Sequence, residues 1–239
     1  MLSKSQIKLI TSLKQKKYRQ QHGFFVVEGV KTIKELLQSS VKLYALYTTE
    51  TFNIDAKREF LISEAELKKI SFLKTPNKAL AVFNIPKEHP IDTSKLIVAL
   101  DSVRDPGNLG TIIRLCDWFG VTDLVCSKET VDCFNPKVIQ ATMGSITRVN
   151  ISYVDLVSFL KTTKPPKYGA FMNGDNVYKT TLVDNGILVM GNEANGISKA
   201  VEDLITDKIS IPRFGELQET ESLNVATATA ILLSEFRRG

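Results

Sequence analysis

The chain has little of what metal and disulfide sites are made from. Among its 239 residues there are three cysteines, Cys116, Cys126 and Cys133. An odd count without a CxxC pair argues against a disulfide framework and against a structural zinc centre. Histidine is scarcer still, with only His22 and His89, both in the first third. That inventory speaks against a metal site and against a serine triad, which needs a histidine near its nucleophile. No apolar run approaches the roughly 20 residues of a membrane helix. The opening MLSKSQIKLI lacks the long apolar region and small-residue cleavage site of a secretory leader, so the expected setting is the cytoplasm, without membrane contact. A GxGxxG dinucleotide fingerprint is absent too. With 43% hydrophobic and 24% charged residues, the chain is too apolar to be disordered in bulk. Its length suits one large domain or two modest ones.

What is present is unevenly charged. Residues 1–89 hold 16 Lys and Arg against 8 Asp and Glu, a balance of +8, whereas residues 90–239 sum to −3. The first twenty residues carry Lys4, Lys8, Lys14, Lys16, Lys17 and Arg19 and no acid. Such asymmetry fits a module that grips a polyanion joined to one with another task, or a solvated lysine-rich surface. The stretch Asn84-Ile85-Pro86-Lys87-Glu88-His89-Pro90 reads as a linker, since proline interrupts both ladders and helices. It divides the chain into residues 1–88 and 89–239.

In the first part, helices are expected over 6–13, 30–37 and 64–72, and strands over 24–27, 43–47 and 80–83, a small α/β sandwich. The second part alternates. Strands are expected over 96–100, 123–126, 147–151, 168–172, 187–190 and 208–211. Helices are expected after residue 105 and over 136–142, 154–161 and 222–236. This alternation predicts a parallel sheet with helices on both faces, so the chemistry belongs at the loops after Leu100, Met190 and Ile211.

In the first of these loops, Asp105-Pro106-Gly107-Asn108 is turn chemistry. The helix that follows has Leu109, Ile112, Ile113, Cys116 and Phe119 on one face. Arg114 lies nearly opposite, near a helix end whose dipole offers a cation nothing. The second loop, Gly191-Asn-Glu-Ala-Asn-Gly-Ile-Ser198, nearly spells a phosphate loop. Ile197 replaces its lysine, and Glu193 puts a negative charge where a phosphate would sit. A nucleotide triphosphate is disfavoured, and a ligand held by backbone groups remains open, as does a plain tight turn. The third loop runs from Ile211-Pro-Arg-Phe-Gly215 to Glu221-Ser-Leu-Asn-Val225, with Ser222 a candidate N-cap for a slim Ala- and Thr-rich helix.

In this order and spacing, N-x5-R after a buried strand, then GNExxGIS, then IP…SLNV resembles the SpoU (TrmH-type) RNA ribose 2′-O-methyltransferases of the SPOUT class. The resemblance covers Leu96 to the C-terminus. Phe24-Phe-Val-Val-Glu-Gly-Val-Lys31 is similar, over a shorter stretch, to the family's L30e-like RNA substrate-binding domain. The resemblance implies an α/β parallel-sheet domain over 89–239 whose end is tucked into a trefoil knot, preceded by a small L30e-like α/β domain over 1–88. It implies S-adenosyl-L-methionine as cofactor, RNA (tRNA or rRNA) as substrate, and a homodimer in which both chains contribute to each site.

Carried over residue by residue, Met190, Gly191, Gly196, Ile211 and Leu223 would bind the cofactor. Arg114, Asn108, Glu193, Ser222 and Asn224 would form the catalytic set, with Glu193 anchoring its loop or Arg114. Lys8, Lys14, Lys16, Lys17 and Arg19 would contact RNA. Three features depart from the family pattern: Arg213 where methionine is usual, a longer stretch over 214–221, and Ala226 in place of a common serine. The alternative reading is a catalytically silent RNA-binding relative.

Overall fold

The computed structural model describes residues 1–215 and 222–238. In chain order the elements are α1 (Lys4–Ser12), α2 (Lys16–His22), β1 (Phe24–Glu28), α3 (Val30–Leu37), β2 (Leu43–Thr48), β3 (Glu59–Leu61), α4 (Glu64–Ile70) and β4 (Ala79–Asn84). Then follow β5 (Ile97–Leu100), α5 (Pro106–Trp118), β6 (Asp123–Ser127), α6 (Pro136–Thr142), β7 (Asn150–Val154), α7 (Leu156–Thr162), β8 (Lys167–Asn176), β9 (Ile187–Met190), α8 (Lys199–Glu202), β10 (Asp207–Ser210) and α9 (Val225–Phe236). By contact the chain forms two units. One is Met1–Lys87 with Asp132–Thr147, the other Glu88–Val131 with Arg148–Gly239. The expected cut near residue 88 therefore misses an excursion: residues 132–147 pack with the first unit. No helix among the described residues is long and apolar enough to cross a membrane.

The first unit is built on a four-stranded sheet in the order β1-β4-β2-β3, antiparallel except for the β2–β3 pair. Alternation along the strands sends Val26, Ala45, Tyr47, Leu80 and Val82 to one face, where Ile10 of α1, Leu13 just after it, and Leu67 and Ile70 of α4 cover them. Phe25, Val27, Leu46, Ala81 and Phe83 point the other way, against Ile33 and Leu36 of α3 and Ile139 of α6. Phe134, just before α6, meets Phe25 at a tilt, with 4.9 Å between ring centroids. Burial of each such side chain contributes roughly 1.5–3 kcal/mol, so the excursion is part of this core. Ser3 and Ser63 start α1 and α4 with reciprocal capping boxes closed by Gln6 and Glu66.

Arg19 corrects an expectation. It is 2% exposed. Its guanidinium donates to Asp132 from Nε at 3.0 Å and from Nη2 at 2.5 Å, and from Nη1 to the carbonyls of Leu13 and Lys14 at 2.8 and 2.9 Å. A fork of donors satisfied on all sides within the unit is not offered to RNA. Lys8, Lys14, Lys16 and Lys17 are exposed.

The second unit has a six-stranded, wholly parallel sheet in the order β10-β8-β9-β5-β6-β7. Ile97, Ala99, Val125, Ile187 and Val189 face α7 and α8. Leu109, Ile112, Ile113 and Cys116 form the buried stripe of α5, which packs against α9. Asp105 caps α5 by accepting from the Asn108 amide at 2.8 Å, with Pro106 at the first turn. Tyr168 of β8 meets Phe236 edge-on at 5.2 Å and fastens the far end of α9. Sequence periodicity omits α2 and the three-residue β3, and sets β7 early, because residues 145–147 form a 3-10 turn.

Breaking a buried ion pair from one side leaves the other charge stranded. Arg19→Ala is therefore expected to destabilise the first unit by about 3–5 kcal/mol, read as a lower urea midpoint by circular dichroism. A midpoint equal to wild type would return Arg19 to the surface role first expected of it.

Candidate active site

The strands β5, β9 and β10 end side by side or one strand apart, and the loops leaving them converge. After β9, the loop from Gly191 to Ser198 is pinched shut. Asn192 and Gly196 exchange two backbone hydrogen bonds, both 2.9 Å. Gly196 has φ +67°, where a side chain is strained, and a Cβ on Gly191 would lie 2.2 Å from the Gly196 carbonyl carbon. Both glycines are thus required by the backbone itself.

Five of the loop's eight amides are occupied. Asn192 and Gly196 donate to each other, Ala194 and Asn195 donate to Asn192 Oδ1, and Ser198 donates to Asp101 Oδ2 at 2.8 Å. A phosphate cradle needs such amides free. This geometry therefore agrees with the missing lysine and disfavours a phosphate ligand.

Glu193 holds the loop to the start of α5. It accepts from Asn108 Nδ2 at 3.1 Å and faces the amides of Arg104 and Asp105 at 3.5 and 3.4 Å. It does not reach Arg114, so of the two expected anchoring roles only that toward the loop is found. Asn108 Oδ1 in turn accepts from Asn224 Nδ2 at 2.9 Å. Asn224 Oδ1 accepts from the amides of Ala226 and Thr227 and is the N-cap of α9. The cap is therefore Asn224 and not Ser222.

Beside this chain of bonds lies a cavity of about 1180 Å³. Its walls include Met190, Gly191, Gly196, Ile211 and Leu223, all five residues expected to hold a cofactor, together with Glu193, Ser222 and Asn224. Ile209, Val225, Ala228 and Leu232 give it an apolar side, and Arg213 adds a cation at an exposed position. The small Ala228 leaves room where α9 borders the space. A large, mostly apolar cavity with a few polar groups on one side suits a nucleoside with a short charged tail. Of the 214–221 stretch, Phe214 is 85% exposed and Gly215 lines the cavity, while 216–221 lie outside the described residues.

Arg114 stands apart. It is exposed on the face of α5 away from the core, does not line the cavity, and has no hydrogen bond or ion pair among the described residues. Two contributors escaped the sequence reading. Asp101, 5% exposed at the end of β5, anchors Ser198, and Asn192 ties its loop to the Ser102 carbonyl at 2.6 Å. The only sequence signal for either is its place directly after a buried strand. Among the described residues no three His, Cys, Asp or Glu side chains come together as a metal site.

Comparison with known proteins converges on one family. The profile of the SpoU rRNA methylase family matches residues 95–234, and that of the MRM3-like substrate binding domain matches residues 4–81. The 23S rRNA (guanosine(2553)-2′-O)-methyltransferase RlmP of Bacillus subtilis is 31% identical over 93% of this chain and 92% of its own length. A solved TrmH-family structure from Porphyromonas gingivalis is 39% identical with a TM-score of 0.90, covering 100% of this chain and 99% of that one. An AdoMet-bound rRNA methyltransferase from Sinorhizobium meliloti is 29% identical with a TM-score of 0.88, covering 100% and 97%.

Gly191→Ala forces the Gly196 backbone away from its position. The expected result is a loss of about tenfold in S-adenosylmethionine affinity by calorimetry, the size of a local overpacking strain. Unchanged affinity would remove the pinched loop from the binding site.

Proposed function

The chain belongs to the SpoU rRNA methylase family and is an S-adenosylmethionine-dependent RNA ribose 2′-O-methyltransferase; from the geometry of its site we propose how its residues divide that work. The observation that carries the reading is the cavity at the ends of β9 and β10, edged by the Glu193–Asn108–Asn224 hydrogen bonds. We assign cofactor binding to Met190, Gly191, Gly196, Ile211 and Leu223. The bound cofactor supplies a methyl group on a positively charged sulfur, a leaving group that needs no metal to activate it. The fit rests on the cavity's size and its apolar wall.

The protein must then align a ribose 2′-hydroxyl with the methyl carbon and ease loss of its proton. Arg114 is assigned to the developing alkoxide or to the adjoining phosphate. A guanidinium stays protonated in proteins, so it serves as a charge and a donor, not as a base. The proton leaves to that phosphate or to water. Asn108, Ser222 and Asn224 orient the ribose, and Glu193 holds Asn108 in place.

We further propose a homodimer in which Arg114 serves the partner's cavity. The support is its exposed place on α5, its lack of a partner among the described residues, and Trp118, four residues on and 83% exposed. An indole on that face is what a second copy of this chain would cover. The carboxyl-terminal part would be tucked into a trefoil knot, a reading that rests on family membership. The first unit would hold the RNA, tRNA or rRNA, with Lys8, Lys14, Lys16 and Lys17 on its phosphates. We place the protein in the cytoplasm, in keeping with an odd count of three cysteines and no CxxC pair.

The direct test incubates the protein with tritiated S-adenosylmethionine and unmodified bacterial RNA, then separates the RNA by size. Label in tRNA or rRNA is expected, and its absence despite cofactor binding would favour the silent RNA-binding relative. Arg114→Ala is expected to keep cofactor affinity while kcat falls by about 10²-fold or more. Turnover near wild type would sink its role. Trp118→Glu is expected to yield monomers in sedimentation and to abolish methyl transfer. RNA affinity should fall as salt rises, with a shallower slope when Lys8, Lys14 and Lys17 are replaced by alanine.

A further inference from the structure

The sheet of the first unit ends in an aromatic pair, one ring packed against the core and the other turned to solvent. β1 and β2 each run antiparallel to β4 between them, so Phe24 at the start of β1 and Tyr44 near the start of β2 share one end of the sheet. Their ring centroids are 4.3 Å apart, with planes inclined by 34°. Phe24 is half-buried against the core face that α1 and α4 cover. Tyr44 is 46% exposed, and its hydroxyl has no hydrogen-bond partner among the described residues. The ladder register shifts between Leu43 and Ala45, and such an irregularity turns a side chain out of the regular alternation.

The same end is rich in cations. Arg58 Nη1 donates to the Leu43 carbonyl at 2.9 Å, which fastens the guanidinium beside the backbone of Tyr44. Lys42 is exposed two residues before Tyr44, and its carbonyl receives the Asn84 amide from the end of β4. Gly23, at φ +66°, ends α2 and leads directly into Phe24, so the helix that begins with Lys16 and Lys17 terminates here. Of the acids nearby in sequence, Glu59 is engaged by the amides of Phe52 and Ile54, and the exposed Asp55 accepts from the Lys57 amide.

An exposed phenol ring braced by a second ring, with cations on its flanks, matches what an unpaired nucleotide offers. The base presents a π-face and the adjoining phosphate a negative charge. A base inside a duplex hides both faces, so only a looped-out or single-stranded nucleotide can use such a ring. We propose that Tyr44, braced by Phe24, is a stacking site for an unpaired base of the substrate RNA, with Arg58 and Lys42 taking the phosphate next to it. This rests on the reading of the first unit as RNA-holding and adds the part of the RNA it engages. A protein partner would use the ring as an apolar anchor and would have no need of the paired cations.

The test uses the full chain and two probes, a labelled single-stranded oligouridine and an RNA duplex of the same length, followed by fluorescence polarisation. Tyr44→Ala is expected to weaken the single strand about tenfold, the usual scale of one lost stacking contact, and to leave the duplex unchanged. Tyr44→Phe should stay near wild type. With iodouridine in the single strand, long-wavelength light should cross-link wild-type protein at Tyr44, a readout that needs no variant to fold. Unchanged affinity in a folded Tyr44→Ala, an equal loss for both probes, or cross-links confined to other peptides would each overturn the platform. Failure of the wild-type chain to bind either probe overturns the RNA-holding reading itself, and the platform with it.

Discussion

A single carboxylate, that of Glu193, sets the direction of the hydrogen bonds around the site. A carboxylate can only accept, so Glu193 fixes which end of the Asn108 amide carries hydrogen. Asn108 Oδ1 must then accept, which turns the nitrogen of Asn224 toward it and leaves Asn224 Oδ1 for the first amides of α9. One side chain thereby orients two amides and a helix terminus drawn from the segments after β5, β9 and β10. Each bond, partly open to water, adds only about 0.5–1.5 kcal/mol. Their shared effect is positional, because no member can flip without stranding its neighbours. The cavity wall next to them inherits that rigidity, while the glycine pair at 191 and 196 supplies the close backbone approach that no side chain could permit.

Charge composition and charge placement turn out to be different questions. Of the six basic residues in the first twenty, the one that is buried is the only arginine. A planar fork can satisfy its donors inside a fold, as Arg19 does with Asp132 and two carbonyls, whereas an ammonium on a flexible stem is better left to water. The lysines that flank it stay exposed and make the surface basic. Arg114 is the opposite case, an arginine whose guanidinium has no partner among the described residues.

Much of this architecture could be read from residue order alone. Continuous apolar runs such as Ile97–Leu100 and Ile187–Met190 mark doubly covered strands, and α3, α6 and β9 fall where periodicity puts them. The loops that carry the candidate site were readable because each follows such a strand, and the individual residues came from the resemblance of those loops to the family's motifs. Their bonding was not, since nothing in the order of residues says that Glu193 meets Asn108 and not Arg114, or that Asn224 displaces Ser222 as the cap. The membership of residues 132–147 was likewise hidden. Phe134, Ile139 and Ile146 are an ordinary amphipathic pattern, and only the core they enter, around Phe25 and Phe83, reveals where they belong.

That excursion has a consequence for how the chain comes to exist. Arg19 and Asp132 are 113 residues apart, and Phe25 waits almost as long for Phe134. During synthesis the amino-terminal sheet can pair its strands early, but it cannot close until the nascent chain has emerged past residue 147. By then β5, α5 and β6 of the other unit have already been made. The two units are therefore finished in interleaved order, the first one completed only from within the second. A half-made chain exposes an aromatic face and an unpaired guanidinium in the interval, a vulnerable stage that a simple head-to-tail arrangement of the same two units would avoid.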